Sequence, residues 1–388
     1  MADNNVPEIS LDNYPHINRG LEGIVAFTTT KSFIDGQNGE LIYAGYNIRT
    51  LAEKATFEEV CYLLWHDHLP SAKELEALEK SLLQERFLPP TILEFLGGAD
   101  PSAEPMSVLR SAVSMLADYA PEPTANEERD LYNCAIALTA KIPAIIASYD
   151  RIRNGNEPVE PLEDGSTARN FLYMLNGEIP GAQAEKTMDR CLILHAEHGM
   201  NASTFTCRTI CSTQSDIFSA VTGAIGALKG PLHGGANSAV MRMFLDIRKK
   251  GEDPADYVLQ KLENREKVMG FGHRVYKTMD PRATLLREMA RSLAEETGQV
   301  ELYEWSESIL NTMKKEKGID PNVDFYSATV YYSLGIQPDL YTCIFTMSRI
   351  SGWSAHFIEQ AKNNRLIRPR ALYTAEKHLE WPVSETNS

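Results

Sequence analysis

TFEEVCYLLWHDHLPSAKELEALEKSLL, residues 56–83, decides the fold class. Thr56 with Glu59, and Ser71 with Glu74, each form the spacing of a capping box, in which a hydroxyl and a carboxylate satisfy the first free amides of a helix. Behind the first box, Phe57, Val60, Cys61, Leu64 and Trp65 recur on one helical face. Behind the second, Leu75, Leu78 and Leu82 do the same. Two consecutive helices are therefore predicted, with His66 and His68 marking the end of the first. Outward from this pair the pattern continues as helix after helix. Strand signal is confined mainly to residues 32–46, SFIDGQNGELIYAGY, where Asp35-Gly36 and Asn38-Gly39 suit the turn of a small hairpin. The expected class is mainly α with a small N-terminal β-hairpin.

With 388 residues and 43% hydrophobic content, the chain is long enough for two domains and has ample material for a buried core. No linker, repeat or compositional step marks a domain junction. Lys and Arg number 38 against 53 Asp and Glu, a net charge of −15. Such a surface repels polyanions, which argues against nucleic-acid or anionic-membrane binding and requires a locally basic pocket for any anionic substrate. The first thirty residues lack a basic start followed by an apolar run, and no stretch reaches about 18 uninterrupted apolar residues, so a cytoplasmic protein is expected. Six scattered cysteines contain no CxxC pair and suggest neither a disulfide framework nor a zinc ribbon. Cys207 and Cys211, four apart, read as buried thiols. SDIFSAVTGAIGAL (215–228) carries Ala220, Gly223, Ala224 and Ala227, which suit close approach of another helix, either inside the subunit or at an interface.

Three segments carry candidate chemistry. In KGPLHGGAN (229–237), His233 precedes a helix for which Asn237 is the expected cap. The positive end of a helix disfavours imidazolium, leaving a neutral ring able to donate one N–H to a carbonyl; a loop histidine bonded to backbone is the alternative. In GFGHRVYKTMDPR (270–282), Asp280-Pro281 opens a helix, and His273 and Arg282 flank the turn. A cation in a first helical turn is poorly placed unless an anion joins it, either a substrate carboxylate or an ordinary Asp or Glu. In DPNVDFYSATVYYSLG (320–335), Asp320-Pro321 is the expected start and Gly335 the end, placing Asp324 in the first turn among apolar and aromatic neighbours. The helix end lowers its pKa while desolvation raises it, which suits a general base as well as a plain helix-stabilising Asp. ILHAEHGMNAS (193–203) adds His195 and His198, without the HExxH pattern or a third ligand of a zinc site. Arg349, Arg365, Arg368 and Arg370 supply cations near the C-terminus.

Taken together, GLEGIVA, FEEVCYLLW, PLHGGAN, GFGHRVYK, NVDFYS and RLIRPR resemble the citrate synthase family from about Gly20 to Thr374, and most of all its short bacterial form. The resemblance implies an almost entirely α-helical fold with a large domain (1–220 and 330–388) and a small domain (221–329) that closes over the substrates. It also implies a homodimer. By the family's motifs, His233, His273 and Asp324 match the catalytic residues, and His198, Arg282, Arg349 and Arg368 match oxaloacetate-binding positions, Arg368 being contributed by the partner subunit. Residues 268–272 (Val268, Met269, Gly270, Phe271 and Gly272) resemble the loop that receives the adenine of coenzyme A, and Lys277 stands where some members place an arginine, suiting a phosphate contact.

The implied reaction condenses acetyl-CoA with oxaloacetate and hydrolyses citryl-CoA to citrate and CoA, with no metal or redox cofactor. Two related or rival activities are a 2-methylcitrate synthase, which accepts propionyl-CoA, and a metal-dependent hydrolase using the histidines as ligands. A noncatalytic helical scaffold is a third reading. One methylene is worth only about 1–3 kcal/mol of discrimination, so the motifs do not choose between the acyl chains.

Overall fold

The chain's structure, a computed structural model, describes residues 17–124, 126–273, 275–379 and 381. The predicted hairpin forms from β1 (Ser32–Asp35) and β2 (Glu40–Tyr43), and a short β3 (Tyr46–Asn47) extends it to an antiparallel sheet of order β1-β2-β3. Helices then follow one another: α1 (Ile48–Lys54), α2 (Phe57–His66), α3 (Ala72–Glu85), α4 (Pro90–Gly98), α5 (Pro105–Met115) and α6 (Glu127–Arg153). They continue as α7 (Thr167–Asn176), α8 (Ala182–His195), α9 (Ala202–Ser212), α10 (Ile217–Leu228), α11 (Ala236–Lys250) and α12 (Pro254–Glu263). The last four are α13 (Pro281–Thr297), α14 (Val300–Lys317), α15 (Val323–Ser333) and α16 (Tyr341–Lys362). The mainly α class read from the sequence is the class observed.

Both capping boxes form: Thr56 accepts from the Glu59 amide while the Glu59 carboxylate accepts from the Thr56 amide at 2.7 Å, and Ser71 and Glu74 repeat the exchange. Each such cap is worth about 1 kcal/mol. Behind them, α2 buries Phe57, Val60, Cys61, Leu64 and Trp65, and the Trp65 indole donates to Ser354 Oγ at 2.8 Å. That serine lies on α16, a helix buried along nearly its whole length and packed against α2, α6, α8, α9 and α10. Helix α6 is long and apolar enough to cross a membrane by composition, but 72% of that window is buried inside the protein, where it packs on α16 as a core helix.

Two expected helix starts are corrected. Helix α11 is capped by Gly235 rather than Asn237, which is instead buried inside the first turn with Oδ1 accepting from the Ser238 amide. Helix α15 starts at Val323 rather than at Asp320-Pro321, and Asn322 is its cap. The reason is a competing pairing: Pro321 bridges Phe271, the Gly272 amide donates to Asp320 O at 3.1 Å, and the Asn322 amide donates to Gly270 O at 2.9 Å. The extended backbone this pairing requires cannot also be helical. The start of α15 is thereby tied to the 270–272 loop.

The small-residue helix α10 packs on α9, α5 and α16. A Cβ on Gly223 would lie 2.3 Å from Ile210 Cδ1 of α9, so the small residue lets α10 pack closely on α9 within the subunit. Contacts divide the chain into two units, residues 29–365 and the two ends 1–28 with 366–388. In the second unit, Arg19–Leu21 forms a single 3-10 turn, and the side chains described are mostly exposed. All six cysteines are free thiols, and burial pushes the Cys207 thiol up.

Candidate active site

The segment between α8 and α9, the 270–282 segment, the α11 approach, the start of α15 and the middle of α16 converge within the first of these units. His198 and His273 meet edge to face with centroids 5.5 Å apart, and the Tyr276 ring completes the cluster 4.8 Å from His273. The amides of Val275 and Tyr276 both donate to His273 Nδ1, at 3.0 and 3.2 Å. A nitrogen that accepts carries no proton, so the ring's proton is assigned to Nε2, leaving it free to donate. Burial, followed by the charge of Arg282, lowers the pKa of His273 and holds the ring neutral. The same two influences push His198 well below its usual range, and its Nε2 pairs with the Tyr276 hydroxyl at 3.2 Å.

Arg282 is 2% exposed, and Asp280, its helix cap, grips it in a two-point ion pair: Nε to Oδ1 at 3.0 Å and Nη2 to Oδ2 at 2.7 Å. An ordinary aspartate thus resolves the unfavourable position of this cation in a first turn. Burial works against charge on both partners, yet their mutual attraction keeps Arg282 above and Asp280 below its ordinary pKa.

His233 lies in the turn before α11. The Ser203 amide donates to its Nε2 at 3.3 Å, which assigns Nε2 as acceptor and Nδ1 as the proton carrier, and Ser203 Oγ lies 2.8 Å from the same nitrogen. The Trp353 indole in turn donates to Ser203 Oγ at 3.1 Å. Burial, then Arg349, lowers the His233 pKa to about 4, so the ring is neutral at pH 7. The neutral ring foreseen from the helix end is thus accounted for by desolvation and a nearby cation.

Arg349 is 1% exposed on α16. Its Nε donates to His195 O at 2.7 Å, while Nη1 is buried without a hydrogen-bond partner. Burial lowers its pKa to about 10 against the attraction of Glu197. An unpaired buried guanidinium N–H is costly, and a carboxylate is the group that best satisfies it. Glu197 is itself fully buried and accepts from Ser32 Oγ at 2.9 Å and from His356 Nε2 at 3.1 Å. Burial would raise its pKa, but His356 holds it below the usual value.

Asp324 sits in the first turn of α15, its amide donating to Asn322 Oδ1 at 3.1 Å. Asp324 is half-buried, and the surrounding protein makes burial the largest influence on its carboxyl. Arg282 and Arg349 oppose that rise, and the balance pushes the pKa up to about 6. A carboxylate that is ionised at pH 7 yet poorly solvated is matched to removing a proton.

The structure therefore brings His198, His233, His273, Arg282, Arg349 and Asp324 into one electrostatic cluster. Val268 and Gly270 are buried, Met269 and Phe271 half-buried, and Gly272 and Lys277 exposed. Arg368 belongs to the other unit and is exposed there. His195, the neighbour of His198 in sequence spacing, faces the core, with Nδ1 bonded to Cys191 O at 2.8 Å. Among the described residues no group of three or more His, Cys, Asp or Glu is placed to hold a metal ion. Sequence reasoning missed Glu197, Ser203, Tyr276 and the cap role of Asn322. All four lay inside segments already singled out, but nothing local distinguishes Ser203 from any other helix-start serine.

The family described as "Citrate synthase, C-terminal domain" matches residues 20–370. Citrate synthase 2 of Bacillus subtilis (strain 168) is 51% identical over 369 residues, covering 95% of this chain and 98% of that protein. A second protein of that organism, citrate/2-methylcitrate synthase, is 42% identical over 374 residues, covering 95% and 99%. Among solved structures, the ternary complex of carboxymethyl coenzyme A and oxaloacetate with citrate synthase from Thermoplasma acidophilum superimposes with a TM-score of 0.87 at 32% identity. It covers 95% of this chain and 98% of that one.

Proposed function

Because the chain belongs to the citrate synthase family, we propose that His233, His273 and Asp324 carry its chemistry while His198, Arg282 and Arg349 hold oxaloacetate. The activity is condensation of acetyl-CoA with oxaloacetate, followed by hydrolysis of citryl-CoA to citrate and CoA. One observation carries the assignment of residues: a carboxylate raised to about 6 shares a buried cluster with neutral histidines and with Arg349, whose Nη1 has no partner.

Asp324 removes a methyl proton from acetyl-CoA, and His233 donates from Nδ1 to the thioester oxygen, so that negative charge is shared rather than built into a free enolate. The enol carbon attacks the oxaloacetate ketone, whose oxygen is polarised by His273 Nε2–H. Arg282 and Arg349 bind carboxylates and fix the ketone's face toward the enol. Water then cleaves the citryl thioester. These steps are proton transfers, one C–C bond formation and one hydrolysis, with no net oxidation. We therefore assign the chain no metal or redox cofactor, and turnover unchanged after dialysis against a chelator is the expected result.

Residues 268–272 and Lys277 are assigned to coenzyme A. Closure of residues 221–329 over the substrates, a homodimer completed by Arg368 of the partner, and a cytoplasmic location complete the reading. Thiol release by the purified protein, given oxaloacetate with acetyl-CoA or separately with propionyl-CoA, tests it. Faster release with acetyl-CoA is expected. Preference for propionyl-CoA would make the chain a 2-methylcitrate synthase, and release with neither would refute the reading.

A further inference from the structure

We propose that Gly36 and Gly39, at the tip of the N-terminal hairpin, are positioning residues for the active site: they let the hairpin act as a strut between the His198 segment and the His273 loop. The inference rests on the assignment of His198 and His273 made above.

The base of the strut is anchored beside His198. Ser32 Oγ, on β1, donates to the Glu197 carboxylate at 2.9 Å and accepts from the Gly199 amide at 3.2 Å. The Tyr43 hydroxyl, on β2, donates to Glu197 O at 2.7 Å. Residues on both sides of His198 are thus bonded to the sheet. The tip is anchored just beyond His273. There the Lys277 amide donates to Gly36 O at 2.8 Å. Between these anchors the turn is stiffened by the Asp35 carboxylate, which accepts from the Gln37 and Asn38 amides at 2.9 and 3.0 Å and from Asn38 Nδ2 at 2.7 Å.

Space at the contact requires Gly36 and is tight at Gly39, whose φ of +67° also favours glycine. A Cβ on Gly36 would lie 2.2 Å from Val275 O and 2.9 Å from Val275 C, a clash with backbone that no rotamer change relieves. A Cβ on Gly39 would lie 2.9 Å from Thr278 Cγ2 and 3.2 Å from Met279 O. Gly45, in the same sheet, has a φ of +91° but nothing within 4 Å of its added Cβ. It serves the turn alone, and so separates sheet strain from displacement of the loop.

The displaced peptide is the one that matters chemically. Val275 and Tyr276 supply the amides that fix the His273 tautomer, and Tyr276 also bonds His198. A hairpin that pushes residues 275–276 outward therefore disturbs both rings that face oxaloacetate. Misplacing a catalytic group by about 1 Å costs roughly 10²-fold in rate.

Gly36→Ala and Gly39→Ala, with Gly45→Ala as control and His273→Ala in parallel, test the strut. The expected result is a roughly 10- to 100-fold loss of kcat/KM for oxaloacetate in the first two, with a much smaller change in KM for acetyl-CoA. Backbone hydrogen exchange at residues 275–278 should accelerate in the same two variants. Gly45→Ala should lower Tm while keeping kcat/KM within about twofold of wild type and leaving that exchange unchanged. Near-normal turnover and unchanged exchange in Gly36→Ala would overturn the strut, as would an equal loss of activity in Gly45→Ala. If His273→Ala retained turnover, the assignment of His273 would fail instead, and the exchange data would still report on the contact. Should the glycine variants not fold, wild-type exchange decides: a Lys277 amide exchanging at the rate of an unstructured peptide overturns the proposal.

Discussion

At the residue scale, Asp324 shows an acid-base group whose usefulness opposes stability. Its pKa is about 6 in the folded chain against 3.8 for a solvated aspartate. Below about pH 4 both states are protonated and the site costs nothing; as pH rises toward 6 the unfolded chain ionises first, and stability falls; above 6 the full penalty applies, at most about 3 kcal/mol. Asp324→Asn should therefore lower turnover by about 10²–10⁴ and yet raise Tm at pH 8, a gain that shrinks at pH 4.5. Turnover of the wild type should fall on the acid side as pH drops through about 6. An Asn variant less stable at pH 8 than at pH 4.5, relative to wild type, would contradict the burial account. Arg349→Leu should weaken oxaloacetate by about 1.5–3 kcal/mol in calorimetry, because a charge-assisted bond in a dry site is lost. The sequence made these two residues visible for different reasons. Asp324 stood out as a carboxylate in a first turn among aromatics, whereas the missing partner of Arg349 Nη1 depends on what α16 packs against, which no local pattern encodes.

At the element scale, helices with their own start signals were legible and those set by a partner were not. The α2 and α3 boxes are self-contained, so their caps could be read from four residues. Helix α15 begins where it does because Pro321 pairs with Phe271, a residue fifty positions away. Its cap, Asn322, also donates from Nδ2 to Gly272 O at 3.1 Å, joining the Asp324 helix to the loop before His273. Asn322→Ala should cost about 1 kcal/mol of stability as a lost cap. It should also depress kcat by more than that loss would suggest, because Asp324 and the 270–272 loop lose a shared tether. Equal stability loss with unchanged kcat would reduce Asn322 to a cap. The hairpin, by contrast, was readable from its Asp-Gly and Asn-Gly pairs, although its glycines serve a contact with residues 275–279 as well as the turn.

At the scale of the whole molecule, the net charge of −15 and the oxaloacetate dianion are reconciled locally, since the described cluster buries two arginines, one of them with an Nη1 that has no partner. A third cation, Arg368, is assigned to the partner subunit's site, and that assignment makes activity a property of the dimer. Subunit exchange between an Asp324→Asn chain and an Arg368→Leu chain tests it. If each site takes Asp324 from one chain and Arg368 from the other, the two sites of a heterodimer differ. The site built on the Asp324→Asn chain lacks both groups. The site built on the Arg368→Leu chain keeps its own Asp324 and receives an intact Arg368 from its partner, so the mixture should regain one working site per heterodimer. If Arg368 serves its own chain, each site lacks one group and nothing is regained. Recovered thiol release therefore supports donation across the interface, and its absence, once mass spectrometry shows that heterodimers have formed, places Arg368 in its own subunit's site or outside both.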